Sequence, residues 1–203
     1  MTEYKLFDGD TPDVSTFAFH EHRERAPHLD QPNHRPRLEL AAAFVGSAAA
    51  IHEGRAGATV TTMSDFGCGD GGLLSLVKPL RIEAWGYDFA PANAEGWAER
   101  GVKAESLDVF GADQDRVRFG DITAVTEVLE HIADPHAAVR WIAERSPFLV
   151  ASSPWNETPE HHDECHAWAW DLPGYRALIE QGGYRILRHE QVLQFQVVLG
   201  WRP

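Results

Sequence analysis

The stretch Asp65-Phe66-Gly67-Cys68-Gly69-Asp70-Gly71-Gly72 combines residue types and spacing that point to ligand chemistry. Closely spaced glycines let a chain turn tightly and let a ligand approach backbone N–H groups. An acid, Asp88, follows 21 residues after Gly67, where a carboxylate can accept hydrogen bonds from both hydroxyls of a ribose. Gly67-x-Gly69-x-x-Gly72 fits the GxGxxG fingerprint of dinucleotide sites, which is a weak signal alone. Asp65 argues for another ligand, because a carboxylate at that strand end repels a pyrophosphate and attracts an ammonium group. Two further groups could handle protons or metals. One is Glu127-Val128-Leu129-Glu130-His131, and the other is His161-His162-Asp163-Glu164-Cys165-His166. Histidine titrates near neutrality, which suits a general base. Glu and His spaced i, i+3 and i+4 can face one ion where the chain turns helically.

The elements that must position these residues alternate in type. Val60–Phe66, Ile82–Tyr87, Val102–Leu107, Ile122–Val128 and Phe148–Ser152 read as strands. Helical spacing recurs between them. Pro36 suits the first turn of one helix, and Gly54 to Gly57 reads as the loop after it. Pro91–Arg100 ends at Gly101, while Asp134-Pro135 and Asp171 are helix starts. Tyr184–His189 and Val192–Leu199 leave no room for a helix and must form a hairpin. Alternating strands and helices imply a parallel sheet, so seven strands are expected, six parallel and one antiparallel. Residues 1–36 are rich in Pro, His, Arg and Asp and read as an arm of turns and short helices.

Composition bounds the function. A chain of 203 residues, 43% hydrophobic and 24% charged, can bury one core. Its 18 Lys and Arg against 31 Asp and Glu give a net charge of −13, a poor default for binding nucleic acid or an anionic membrane. Cys68 and Cys165 make no disulfide framework, the N-terminus has no basic-then-apolar signal, and no apolar run approaches about 20 residues. A cytoplasmic protein is expected.

Taken together, DFGCGDG, Tyr87-Asp88-Phe89-Ala90-Pro91, Leu107-Asp108-Val109, Glu127–His131 followed by Asp134-Pro135, and Ser153-Pro154-Trp155-Asn156 resemble the class I S-adenosylmethionine-dependent methyltransferases. The likeness runs from about Val60 to Leu199, with Ala90 where that family usually carries Ser. The resemblance implies an α/β fold: a Rossmann-like seven-stranded sheet flanked by helices, with an N-terminal helical or loop lid. Residues 1–57 would be arm and helix, and 58–203 the methyltransferase domain. It implies S-adenosylmethionine as cofactor and S-adenosylhomocysteine as product. Asp65 and the backbone of Gly67, Cys68 and Gly69 would hold the methionine end. Asp88 would take the ribose, Phe89 would lie beside the adenine, Asp108 would accept from its amino group with Val109 near the ring, and Glu127 would end the fourth strand at the transfer face.

Methyl transfer mainly needs an aligned nucleophile and, where required, a base. His131, Glu127, His162 and His166 are the catalytic candidates. Trp155, His20 and His28 are the candidates for the acceptor pocket, and Trp168 and Trp170 could help wall it. The expected acceptor is a small molecule methylated at oxygen or nitrogen, with no metal, no membrane and no nucleic acid. One alternative is sharper. Glu127, Glu130, His131 and His166 (or His162) also resemble the Glu-x-x-Glu-His segment and later His of the metal-dependent RNA 3′-end ribose 2′-O-methyltransferases, which bind a divalent cation. A non-catalytic S-adenosylmethionine-binding protein is the other alternative.

Overall fold

The computed structural model describes residues 2–56 and 61–203. In chain order the elements are β1 (Glu3–Lys5), α1 (Phe17–His20), α2 (Arg35–Ala56), β2 (Thr62–Phe66), α3 (Gly72–Val77), β3 (Glu83–Asp88), α4 (Ala94–Arg100), β4 (Lys103–Ser106), β5 (Ile122–Thr126), α5 (Pro135–Ala143), β6 (Phe148–Pro154), β7 (Trp168–Trp170), α6 (Leu172–Gln181), β8 (Arg185–Val192) and β9 (Phe195–Trp201). Seven strands form one sheet in the order β4-β3-β2-β5-β6-β9-β8. β9 runs antiparallel to both β6 and β8, and the other pairings are parallel. The sheet is therefore the six-plus-one arrangement expected.

Alternation along the central strands loads both faces. Met63, Ile122, Ala124, Phe148, Val150, Val197 and Leu199 pack under Leu38, Ala41, Phe44 and Val45 of α2 and Leu73 and Val77 of α3. Their neighbours Val125, Leu149, Ala151 and Val198 face Val139 and Ile142 of α5 and Tyr175, Leu178 and Ile179 of α6. Covering both faces is what a mostly parallel sheet requires. The caps behave as their residue types dictate. Asp134 accepts from Ala137 N at 2.8 Å, and Asp171 accepts from Gly174 N at 2.6 Å. Gly101 ends α4 in the left-handed conformation, φ 58°.

Several expectations change. The stretch 91–100 opens with a 3-10 turn at Pro91–Asn93 before α4 begins. α2 runs on through Ala56, where a loop was expected from Gly54. Gly57, the domain boundary at 57/58 and the first residue of the strand expected from Val60 lie outside the described residues. β1 was not expected. It pairs antiparallel with β7 as a separate two-stranded sheet, Tyr4 opposite Ala169. Among the described residues, no helix is long and apolar enough to cross a membrane.

The topology fixes where a ligand can sit. β2 pairs with β3 on one side and β5 on the other, so the strand order reverses beside β2. Open α/β sheets bind ligands outside the strand ends at such a switch point. The glycine turn leaves β2 there, Asp88 ends β3, and Glu127 follows β5.

Candidate active site

A cavity of about 700 Å³ opens at these strand ends. The arm covers it, contributing Val14, Ser15, His20, Arg23, His28 and His34 to its wall. Gly67 turns with φ 72°, and a Cβ there would lie 2.2 Å from Val128 Cγ2, so only glycine fits. Asp88 organises the rim. Its Oδ2 accepts from Gly69 N at 2.8 Å, and its Oδ1 accepts from Ala90 N at 2.8 Å and Asn93 Nδ2 at 2.9 Å. Burial pushes its pKa up, against the pull of these donors.

Two ionisable groups of opposite type are poorly satisfied at the cavity. Asp65 is 1% exposed, and neither carboxylate oxygen has a hydrogen-bond partner. Burial, reinforced by the charge of Asp88 and opposed by Arg37, pushes its pKa up to about 8. Arg37 is equally buried and lies over the Phe195 ring at 5.1 Å. Its hydrogen bonds are long, 3.4 Å to Ser152 Oγ and 3.5 Å to His28 Nδ1, and its Nε has none. A buried charge is costly unless paired. A carboxylate and a guanidinium left this way suit a ligand that brings an ammonium and a carboxylate of its own.

A third unpaired group sits at the wall. Glu130, His131 and His166 each offer a ligand atom, all within 4.8 Å of one another. His131 Nδ1 donates to Cys165 O at 2.7 Å, and His166 Nδ1 donates to Glu157 Oε2 at 2.6 Å. Those bonds fix both tautomers and leave each Nε2 with a free lone pair, as in carboxylate–histidine–metal triads. Both oxygens of Glu130 are buried without a hydrogen-bond partner. Desolvation, then the charge of Glu127, pushes its pKa well up. Glu127 holds a left-handed backbone, φ 58°, and its Oε1 accepts from Ser152 Oγ at 2.8 Å. Such a conformation in a non-glycine residue is strained, and strain of this kind gathers at functional sites.

Comparison with known proteins agrees with this geometry. A profile described as a methyltransferase domain matches residues 38–183. The chain belongs to the methyltransferase-domain family. S-adenosylmethionine is the cofactor of this class. No curated protein matches. Among solved structures, the N-methyltransferase NodS from Bradyrhizobium japonicum WM9, in complex with S-adenosyl-L-homocysteine, is 15% identical with a TM-score of 0.67, over 92% of this chain and 96% of that one. An O-methyltransferase family protein from Burkholderia thailandensis is 12% identical with a TM-score of 0.62 over 83% of this chain, and the match spans only 55% of its own length. The [4+2]-cyclase SpnF shares the fold at 11% identity and a TM-score of 0.63, covering 94% and 91% of the two chains. At these identities the likeness is one of fold, so the reaction has to be argued from the site.

The fold of this methyltransferase brings most of the sequence candidates to one cavity. Asp65, Gly67, Cys68, Gly69, Asp88, Phe89, Val109, Glu127, His131, His162, His166, His20 and His28 all line it. Three do not. The Asp108 carboxylate is turned into its own loop, where Oδ2 accepts from Ala112 N at 3.1 Å, while Leu107, Val109 and Phe110 form the wall. Trp155 turns away and donates from Nε1 to Leu193 O at 3.0 Å. Glu130 lies buried beneath the wall. Trp168 and Trp170 are packing residues that stack 6.2 Å apart in the β1–β7 sheet and bond to Ile132 O and Glu3. Of the four possible metal ligands, Glu130, His131 and His166 form the tight group, and Glu127 stands next to it. His162 is exposed at the cavity edge, bonded to Thr158 O. His131 is a poor base as placed, since burial and the neighbouring His166 push its pKa down to about 3.

Arg37, Glu157 and Ser152 were missed. Arg37 gave one usable signal, a charge at position 37 one residue before the apolar stripe Leu38, Ala41, Val45. Glu157 and Ser152 gave none, because their roles exist only through the partners the fold supplies.

Proposed function

We propose that this protein transfers the methyl group of S-adenosylmethionine to a hydroxyl oxygen of its acceptor, assisted by a divalent cation on Glu130, His131 and His166, with Glu127 beside it. The observation that carries this is the Glu130 carboxylate, buried without a donor next to two imidazoles whose Nδ1 atoms are already engaged. A divalent cation drawing the three ligand atoms together would satisfy that set, and a mixed carboxylate–imidazole group suits Mn²⁺, Fe²⁺ or Zn²⁺ better than Ca²⁺. When bound, S-adenosylmethionine supplies an electrophilic methyl on a positive sulfur, and the cation lowers the pKa of a bound hydroxyl.

The chain's own residues do the rest. Asp65 and Arg37 would take the ammonium and carboxylate of the methionine end. Asp88, with the N–H of Gly69 held against it, would take the ribose, and Val109 and Phe89 would flank the base. Cys165 O and Glu157 hold the two imidazoles in ligating orientation.

Titrating the protein with Mn²⁺ in the presence of S-adenosylhomocysteine should give one site per chain, and transfer should stop with EDTA and return with Mn²⁺. No Mn²⁺ binding, together with undiminished transfer in EDTA, sends the assignment back to metal-free methylation of a small-molecule oxygen or nitrogen.

Asp65 adds a pH test. Its raised folded pKa means that the ligand-free folded state binds more protons than the unfolded chain between the ordinary carboxylate value of 3.8 and about 8. Stability therefore falls as pH rises through that window. An ammonium beside Asp65 favours the ionised form, so cofactor binding releases a proton below about pH 8 and tightens as pH rises toward it. Calorimetry in buffers of different ionisation enthalpy should detect the proton at pH 6.5, and Asp65→Asn should remove both dependences. Equal proton release by that variant would assign the effect elsewhere.

A further inference from the structure

We propose that cofactor and cation tighten each other's binding through Arg37 and Glu127, two opposite charges that share the hydroxyl of Ser152. This rests on the cation-assisted reading above and goes beyond it in stating how the two sites communicate.

The link is a short run of contacts between α2, β6 and the turn after β5. Arg37, in the first turn of α2, donates from Nη1 to Ser152 Oγ at 3.4 Å. That hydroxyl donates in turn to Glu127 Oε1 at 2.8 Å. The backbone repeats the tie, since Glu127 N donates to Ser152 O at 3.0 Å. Both Ser152 and Arg37 are buried. One hydroxyl thus stands between the guanidinium assigned to the methionine carboxylate and the carboxylate beside the cation site. Away from bulk water, groups joined this way act on one another more strongly than they would in solvent.

Arg37 is held loosely on its other sides. Its Nε has no partner, and the Phe195 ring at 5.1 Å and His28 Nδ1 at 3.5 Å bring it no negative charge. Its charge acts instead on three carboxylates. Asp65 lies at the cofactor end, and Glu127 and Glu130 at the cation end.

This arrangement gives the coupling its sign. A cation on Glu130, His131 and His166 is repelled by Arg37 and competes with it for Glu127. A cofactor carboxylate on Arg37 offsets the repulsion and gives Glu127 up to the cation, while the cofactor ammonium is offset by Asp65. In the other direction, a cation that engages Glu127 frees Arg37 for the methionine carboxylate. Linkage requires the two effects to be equal in size.

The test is a Mn²⁺ titration of the intact protein under three conditions: alone, saturated with S-adenosylhomocysteine, and saturated with 5′-methylthioadenosine. The first nucleoside carries the amino-acid end without a sulfonium charge. The second keeps adenine and ribose and lacks that end. S-adenosylhomocysteine should tighten Mn²⁺ by about fivefold or more, and methylthioadenosine should leave it within about twofold. Saturating Mn²⁺ should tighten S-adenosylhomocysteine by the same factor. E127Q should bind Mn²⁺ more weakly, with affinities that agree within about twofold with and without S-adenosylhomocysteine.

A Mn²⁺ affinity that S-adenosylhomocysteine leaves unchanged or weakens overturns the proposal. So does an equal effect from methylthioadenosine, which would assign the coupling to the adenosine half of the site, and so does an E127Q that keeps the full response. Mn²⁺ binding that ignores the cofactor defeats only the present inference. No Mn²⁺ binding under any of the three conditions defeats the cation and this inference with it.

Discussion

Glu130→Gln will bind S-adenosylmethionine as tightly as the unaltered protein and transfer almost no methyl group. The side chain lies beneath the cavity wall rather than on it, so the cofactor loses no contact. The amide fills the same volume, so the fold is retained. What goes is the carboxylate that lies within 4.8 Å of a ring nitrogen of each histidine. A cation acting on a hydroxyl contributes several kcal/mol to a transition state, and about 4 kcal/mol corresponds to roughly 10³-fold in rate. That loss should appear in kcat/KM with little change in cofactor Kd. Thermal denaturation gives a second readout free of turnover. A ligand present at 100 times its Kd stabilises the folded state by about 2.7 kcal/mol, so Mn²⁺ should raise the Tm of the unaltered protein and leave that of Glu130→Gln where it was. A variant within tenfold of normal activity, with the Mn²⁺ shift intact, would remove Glu130 from the site.

Asp88→Ala should have the complementary profile: no measurable cofactor binding and an unchanged Mn²⁺ response. Hydrogen bonds to a charged group contribute about 1.5–3 kcal/mol each. Losing two from a ribose corresponds to about 10²- to 10⁴-fold in Kd. The same carboxylate also receives Gly69 N, Ala90 N and Asn93 Nδ2, so the glycine turn loses its restraint as well. Calorimetry with S-adenosylhomocysteine measures the loss, and far-UV circular dichroism checks the fold. Unchanged affinity would withdraw the ribose assignment.

The parts of this site that could be read in the sequence are those where one backbone geometry demands one residue type at a set distance. The glycine turn, Asp88 at the end of the next strand and the capped starts of α5 and α6 are of this kind. Glu130, His131 and His166 were visible as chemistry, but nothing in their spacing showed that Cys165 O and Glu157 would hold the rings. Asp108 was misplaced because a strand end does not say which way the next side chain turns, and here the 108–113 loop recruits that carboxylate for its own backbone. The tryptophans misled for a related reason, since large rings near a cavity pack as readily as they bind. Arg37 was hidden because an arginine in the first turn of a helix ordinarily faces water.

β1 and β7 close the loop that carries Glu157 and His166, and β1 is held there by Glu3, whose carboxylate accepts from Trp170 Nε1 at 2.7 Å and pairs with His136 at 2.9 Å. The loop that brings His166 to His131 is thus fastened at its far end by Glu3–Lys5, a strand remote from it in the sequence. Removing Glu3–Lys5 would accordingly loosen the loop that carries Glu157 and His166 without altering either side chain, so a clamp outside the cavity would tune the proposed cation site from a distance.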